Sequence, residues 1–150
     1  MSKKSEEAIQ QTIHSFWETI PPIWNTVRAR VRTTATQKFD ITVEQFHILR
    51  HIRKEAHSVS ELAEAGRISR PAISQGVDAL VEKKLIHRTQ GTGDRRYVRL
   101  DLTPEGNALL DAIFKQARLW MEIQLSTLNA DELKAVNTGL ALLREALCGK

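Results

Sequence analysis

The sequence predicts a mainly α-helical fold with one small β-hairpin, an α+β arrangement, and three observations carry that expectation. Apolar residues recur at steps of three and four along most of the chain, the period of a helix. Side chains suited to helix N-caps stand just before several of those runs. The period falls to two only between residues 85 and 102, on either side of a Gly-rich, cation-loaded turn.

Taken in order, Ile9, Ile13, Phe16/Trp17, Ile20, Ile23/Trp24, Val27 and Val31 form one apolar stripe. Pro21 and Pro22 interrupt it, and a kink or a junction of two helices is expected there, because proline lacks the donor and crowds the preceding turn. Thr42 and Gln45 read as a capping box ahead of Phe46, Leu49 and Ile52, and Ser58 with Glu61 repeats it ahead of Leu62 and Ala63. Gly66 closes that short helix. Ser69 caps the next, with Pro71 in its first turn and Ile73, Val77, Leu80 and Val81 inward. Leu85 to Thr89 and Tyr97 to Leu102 are the strands, joined by Gln90-Gly91-Thr92-Gly93-Asp94-Arg95-Arg96. Thr103 caps a helix with Pro104 at its first position that runs to about Leu128. After Asn129-Ala130-Asp131, Leu133, Val136, Leu140, Leu143 and Leu147 make a seam fit to pack on another helix.

The 150 residues, 41% hydrophobic and 27% charged, suit one compact unit and exclude disorder along the whole chain. No run of 18 apolar residues occurs, and the polar stretch from Met1 to Gln10 has no signal-peptide core, so a cytoplasmic protein without a membrane partner is expected. The single cysteine, Cys148, excludes an intrachain disulfide and any multi-cysteine zinc site. It lacks the cationic pocket of a reactive thiol and reads as a spectator. There is no nucleophile elbow, phosphate-binding Gly loop or telling carboxylate pair, so an enzyme is not expected and no cofactor is implied.

The charge is unevenly placed. Between Arg67 and Arg99 stand eight cations against three anions, a net of +5, whereas the remaining 14 cations and 15 anions leave −1. A concentrated basic stretch suits a polyanion, whose counterions are released on binding. Two short helices joined by a tight turn and followed by a basic-tipped hairpin describe a winged helix-turn-helix. The second helix of such a pair lies in the major groove, which is roughly 12 Å wide, and meets base edges with its N-terminal residues. Those residues here are Ser69, Arg70, Ala72, Ser74 and Gln75, with Arg67 just ahead of them and, like Ser69, closer to phosphate.

Thr42-Val43-Glu44-Gln45-Phe46, Ser60-Glu61-Leu62-Ala63, Ile68-Ser69-Arg70-Pro71-Ala72-Ile73-Ser74, Asp94-Arg95-Arg96 and Leu102-Thr103-Pro104-Glu105-Gly106 occur in an order and spacing that resembles the MarR family of transcription regulators. The resemblance covers about 65 residues by motif. It implies a DNA-binding lobe over residues 36–103, and a helical dimerisation region made of residues 1–35 and 104–150. It further implies a homodimeric repressor on a pseudo-palindromic duplex operator, relieved by a small aromatic or anionic effector. The family's Asp-x-Arg wing maps onto Asp94 and Arg96, with Arg96 as the minor-groove probe, Asp94 bracing it and Arg95 toward phosphate or solvent. Against the family pattern, Arg67 follows Gly66 where a glycine is usual, and Lys84 takes the place of a helix-ending glycine, which puts it in a left-handed conformation.

Phe16, Trp17, Trp24 and Arg28 are the candidate effector residues: aromatic rings can stack on a ligand and a guanidinium can pair with its charge. His47 and His51, spaced i and i+4, can reach one metal ion, which would make a metal-responsive regulator of the same fold. A winged helix used only for protein contact is the other alternative, and the basic excess argues against it.

Overall fold

The computed structural model describes residues 3–91 and 97–149. Six helices and one hairpin follow in the order α1 (Lys3–Lys38), α2 (Val43–Arg53), α3 (Val59–Gly66), α4 (Arg70–Glu82), β1 (Ile86–Gln90), β2 (Val98–Leu102), α5 (Pro104–Leu125) and α6 (Ala130–Cys148). The first strand lies one residue further along than the alternation suggested, and the second starts one residue later and ends at Leu102 as expected. They pair antiparallel from Ile86 with Leu102 to Gln90 with Val98. Gly91 N donates to Tyr97 O at 3.0 Å and adds one rung beyond them.

One core joins α2 to α5 through the hairpin. Phe46, Ile48, Leu49 and Ile52 of α2 meet Leu62 of α3 and Ile73, Val77 and Leu80 of α4. Ile86 and Leu100 close it from the strands, and Leu110, Ile113 and Ala117 from α5. Each of these larger side chains contributes about 1.5–3 kcal/mol by leaving water. Val81, placed inward by periodicity, is half-buried at the rim.

The terminal helices are a different matter. Of α1, only Val31, Thr34 and Ala35 are buried, and no residue of α6 is. Ile9, Ile13, Trp17, Ile23, Leu140 and Leu147 are all exposed. Of the seam on α6, Leu133 and Leu143 are half-buried, and Val136, Leu140 and Leu147 stay exposed among the described residues.

The prolines do not divide the first segment. Helix α1 runs unbroken from Lys3 to Lys38 with Pro21 and Pro22 inside it, which corrects the junction of two helices expected from sequence. Only two donors are lost, and the carbonyls they would have met belong to Trp17 and Glu18, both exposed rather than in the core. One turn on, the Thr26 hydroxyl donates to Pro22 O at 3.0 Å.

The caps set the lengths of the remaining helices. Thr42 and Gln45 form the reciprocal box, with bonds of 3.0 and 3.1 Å. Ser58 accepts from Glu61 N as expected, but the Glu61 carboxylate reaches one residue further back and accepts from His57 N at 2.6 Å. Asn129 and Glu132 form a second complete box at the start of α6, a pattern legible in the sequence but not picked out there. Gly106 has a reason of its own: a Cβ at that position would lie 2.2 Å from the Leu85 carbonyl oxygen, so α5 approaches the start of the hairpin more closely than any side chain allows. Among the described residues no helix is long and apolar enough to cross a membrane.

Candidate nucleic-acid interface

The turn between α3 and α4 is built by a left-handed residue. Arg67 has φ 51° and ψ 42°, with Arg67 N donating to Glu64 O at 3.3 Å and Ile68 N to Ala63 O at 3.1 Å. These are the paired bonds of a Schellman motif, in which glycine is the favoured left-handed residue. Here the glycine sits one place early: a Cβ on Gly66 would meet Ile68 Cδ1 at 3.3 Å. The same pair of bonds ends α2, at Glu55 with φ 75°, and α4, at Lys84 with φ 60°. The left-handed conformation expected of Lys84 is what the structure has.

Helix α4 starts at the Ser69 cap, whose Oγ accepts from Ala72 N at 3.4 Å. With Ile73, Val77 and Leu80 turned into the core, Pro71, Gln75 and Asp78 fall on the outward face. Arg67, Ser69, Arg70 and Gln75 are exposed, and Ala72 and Ser74 are half-buried. The structure thus gathers six of the nine sequence-predicted DNA-contacting residues at one end of α4. The other three, Asp94, Arg95 and Arg96, lie outside the described residues.

The basic stretch is less free than its count suggests. Arg88 on β1 forms an ion pair with Asp78 on the outward face of α4. Arg99 Nε binds both oxygens of Asp101, at 2.9 and 3.1 Å. That hydrogen bond raises the Arg99 pKa above its ordinary value. Lys83 Nζ donates to Asp40 O at 2.6 Å. Arg67, Arg70 and Lys84 form no ion pair with any described carboxylate. Sequence reasoning missed the Asp78–Arg88 pair. The shared face of Asp78 and Gln75 was readable from their three-residue spacing, but the reach of Arg88 from the hairpin was not.

A second missed cluster braces the base of the hairpin. Leu100 N donates to His57 O at 2.8 Å, which fixes the chain just ahead of α3 against β2. Arg99, a donor only, lies 3.4 Å from His57 Nε2, so that nitrogen is the acceptor. The proton is then on Nδ1, 3.0 Å from Leu100 O and 3.2 Å from Asp101 Oδ1.

The candidate effector residues separate into two places. Trp24 and Arg28 line a cavity of about 410 Å³ with His47, Arg50, His51 and Lys54, floored by Ile48, Leu62, Ile68 and Ile73. Phe16 and Trp17, edge to face at 5.6 Å, belong instead to an apolar groove of about 640 Å³ with Ile9, Ile13, Leu143 and Leu147. His47 and His51 are close, with ring centroids 6.5 Å apart. No group of three or more His, Cys, Asp or Glu side chains able to hold a metal occurs among the described residues.

Two short helices set by a tight turn, with the second exposing its N-terminal end beside a hairpin, define a winged helix-turn-helix protein. A family model described as MarR family matches residues 39–96, from just after α1 through β1 and short of β2. An uncharacterized HTH-type transcriptional regulator, YpoP of Bacillus subtilis strain 168, is 30% identical over 98 residues, spanning 59% of this chain and 70% of its own. The chain belongs to the MarR family. The HTH-type transcriptional repressor MdtR of the same organism is 33% identical over 98 residues, 65% of this chain, and the match spans only 63% of MdtR's length. In fold, the chain is similar to the transcriptional regulator Tm0710 of Thermotoga maritima, with a TM-score of 0.82 at 22% identity over 89% of this chain and 94% of that one.

Proposed function

We propose that the chain is a homodimeric repressor of transcription that binds a pseudo-palindromic duplex operator and leaves it when a small ligand binds. The observation that carries the reading is the N-terminal end of α4. Arg70, Ser74 and Gln75 stand there beside Arg67, with no described carboxylate paired to either arginine, on a helix whose opposite face is locked into the core. Arg70, Ser74 and Gln75 take the base contacts, with Ala72 against a base edge and Ser69 and Arg67 nearer phosphate. Arg96 is the minor-groove probe at the hairpin tip, backed by Asp94, with Arg95 toward phosphate.

The division of labour proposed is a DNA-binding lobe over residues 36–103 and a dimerisation region from residues 1–35 and 104–150. The uncovered apolar faces of α1 and α6 support the second part, because exposed apolar area on this scale marks an interface. Phe16 and Trp17 serve that interface, and Trp24 and Arg28 serve the ligand.

Selection of bound duplexes from a random DNA pool at near-physiological salt tests the reading. The expected result is an inverted repeat with half-sites one helical turn apart, roughly 34–36 Å. Recovery of no enriched motif, with and without added zinc, would overturn it in favour of a protein-binding winged helix.

A further inference from the structure

The hairpin leaves the body of the protein at one pivot. Strand β1 follows α4 through the left-handed Lys84, and β2 returns to the same place. There Thr103 N donates to Leu85 O at 3.1 Å, and the Thr103 hydroxyl donates to Lys84 O at 2.7 Å. Further out, Thr89, Tyr97 and Val98 are exposed, so apolar packing does not fix the direction of the outer part. Each strand has five paired residues. A swing of about 10° at the pivot moves the far end of such a hairpin by roughly 3 Å, at about 3.3 Å per residue. A hydrogen bond to DNA does not survive a shift of that size.

Two attachments oppose the swing, one on each face. The register puts Arg88 and Leu100 on one face of the hairpin and Arg99 and Asp101 on the other. Toward α4, Arg88 pairs with Asp78, but these side chains are 42% and 67% exposed, where solvent and salt weaken an ion pair. On the opposite face His57 meets Asp101 with both side chains more sheltered, at 21% and 27%. Every polar atom of His57 is engaged there. Its carbonyl accepts from Leu100 N, Nδ1–H faces Leu100 O and Asp101 Oδ1, and Nε2 accepts from Arg99. Asp101 in turn holds Arg99 through both oxygens. Looking the other way along the chain, His57 N donates to the Glu61 carboxylate, in the capped first turn of α3. Helix α3 carries α4 through the left-handed turn at Arg67. One residue thus ties the hairpin to the unit that aims α4.

The site also asks for one particular side chain. A donor is needed toward the Leu100 carbonyl and an acceptor toward the Arg99 guanidinium, and a neutral imidazole supplies both. Asparagine places a donor where Nδ1 stands but has nothing to offer Arg99, and leucine supplies neither. We infer that His57 is a positioning residue for DNA binding: through Leu100, Asp101 and Arg99 it fixes the angle between the hairpin and α4, so that both reach their grooves of one half-site together. The inference rests on the operator reading above and adds the element that sets the angle between its two DNA-reaching parts. The buried apolar core does not include His57, Arg99 or Asp101, so the brace can be removed without dismantling the lobe.

The test compares the full-length protein with His57→Leu and His57→Asn on the operator recovered by selection, the fold of each being checked by circular dichroism. Hydroxyl-radical cleavage reads the minor groove at the hairpin, and methylation interference at guanine N7 reads the major groove under α4. In His57→Leu, affinity is expected to fall by about tenfold, with the minor-groove protection lost and the guanine pattern kept. His57→Asn, which restores the donor but leaves Arg99 without its acceptor, should lie between the two. Amide hydrogen exchange of the free protein reads the brace without DNA. Residues 98–102 should exchange faster in His57→Leu than in the wild type, while α2 and α4 keep their rates.

Wild-type affinity and protection in His57→Leu would overturn the inference, as would an equal loss in both grooves from a folded variant, which marks a merely structural role. An asparagine variant indistinguishable from the wild type, or from the leucine variant, would do the same. Unaltered exchange in β2 would overturn it whether or not an operator is found. The two readings fail separately. A protein that selects an operator but ignores His57→Leu keeps the repressor reading and loses the brace. One that selects no operator, yet exchanges faster in β2 without His57, loses the repressor reading and keeps the residue that sets the hairpin's angle.

Discussion

Replacing Lys84 by glycine should stabilise the protein. Lys84 ends α4 at φ 60°, with Lys84 N bonded to Val81 O and Leu85 N to Leu80 O, both at 2.9 Å. Its carbonyl accepts from the Thr103 hydroxyl at 2.7 Å. All three interactions use the backbone and survive in Lys84→Gly. A side chain in the left-handed region costs about 1–2 kcal/mol. Glycine gives back about 0.5–1 kcal/mol through its freer unfolded chain. The net gain is about 1 kcal/mol, or roughly 2–4 °C in Tm for a chain of this length. The assay is guanidinium unfolding at one fixed protomer concentration, with Lys84→Ala as the control, since alanine removes the charge but keeps the strain. The glycine variant should show the higher midpoint with an unchanged slope. A midpoint no higher than that of Lys84→Ala would refute the assignment of strain to this residue.

The other predictions concern the two ends of the molecule and its pH response. Gly106→Ala should destabilise by about 1–3 kcal/mol, read in the same unfolding experiment, because its Cβ would meet the Leu85 carbonyl oxygen at 2.2 Å with no flexible side chain to give way. Asp78→Asn should release Arg88 and remove an anion from the outward face of α4. DNA affinity should then rise across all sequences and fall more steeply with salt, and an unchanged salt slope would count against placing that face on DNA. Gln75→Ala should relax preference at one base pair per half-site in a selection experiment, leaving the other positions alone. Below about pH 6.5 the unfolded chain binds more protons than the folded one at His47 and His51, whose folded pKa values are lowered. Stability of the free protein should therefore fall as pH falls through that region, and the His47→Gln/His51→Gln variant should lose part of the fall.

Much of this molecule is local, and local physics can be read along a chain. Thr42 with Gln45, Ser69 with Pro71, and Thr103 with Pro104 each set a helix start through bonds that span three residues, so their spacing alone reveals them. The inward faces of α2 and α4 followed from the helical period, and the hairpin from the change of period to two. The left-handed Lys84 was legible because it takes the place of a helix-ending glycine in the family's pattern. The MarR likeness was legible for the same reason: its motifs are caps, turns and a tip.

What the sequence by itself determined, then, was the order of elements, the face of α4 left for a partner, and the concentration of positive charge around it. Tertiary structure decided which charges are available: Arg88 on β1 is held by Asp78 on α4, ten residues away. It also decided that α1 continues through Pro21 and Pro22, at a stretch where Trp17 and Glu18, whose carbonyls lose their donors, are exposed. It divided the aromatic residues of α1 as well. Phe16 and Trp17 face α6, whereas Trp24, two turns on, faces α2 and its histidines. The physical reason is the same in each case. Hydrogen bonds within a helix span four residues, but charge pairing and cavity shape depend on which elements meet, and no spacing along a single helix records that.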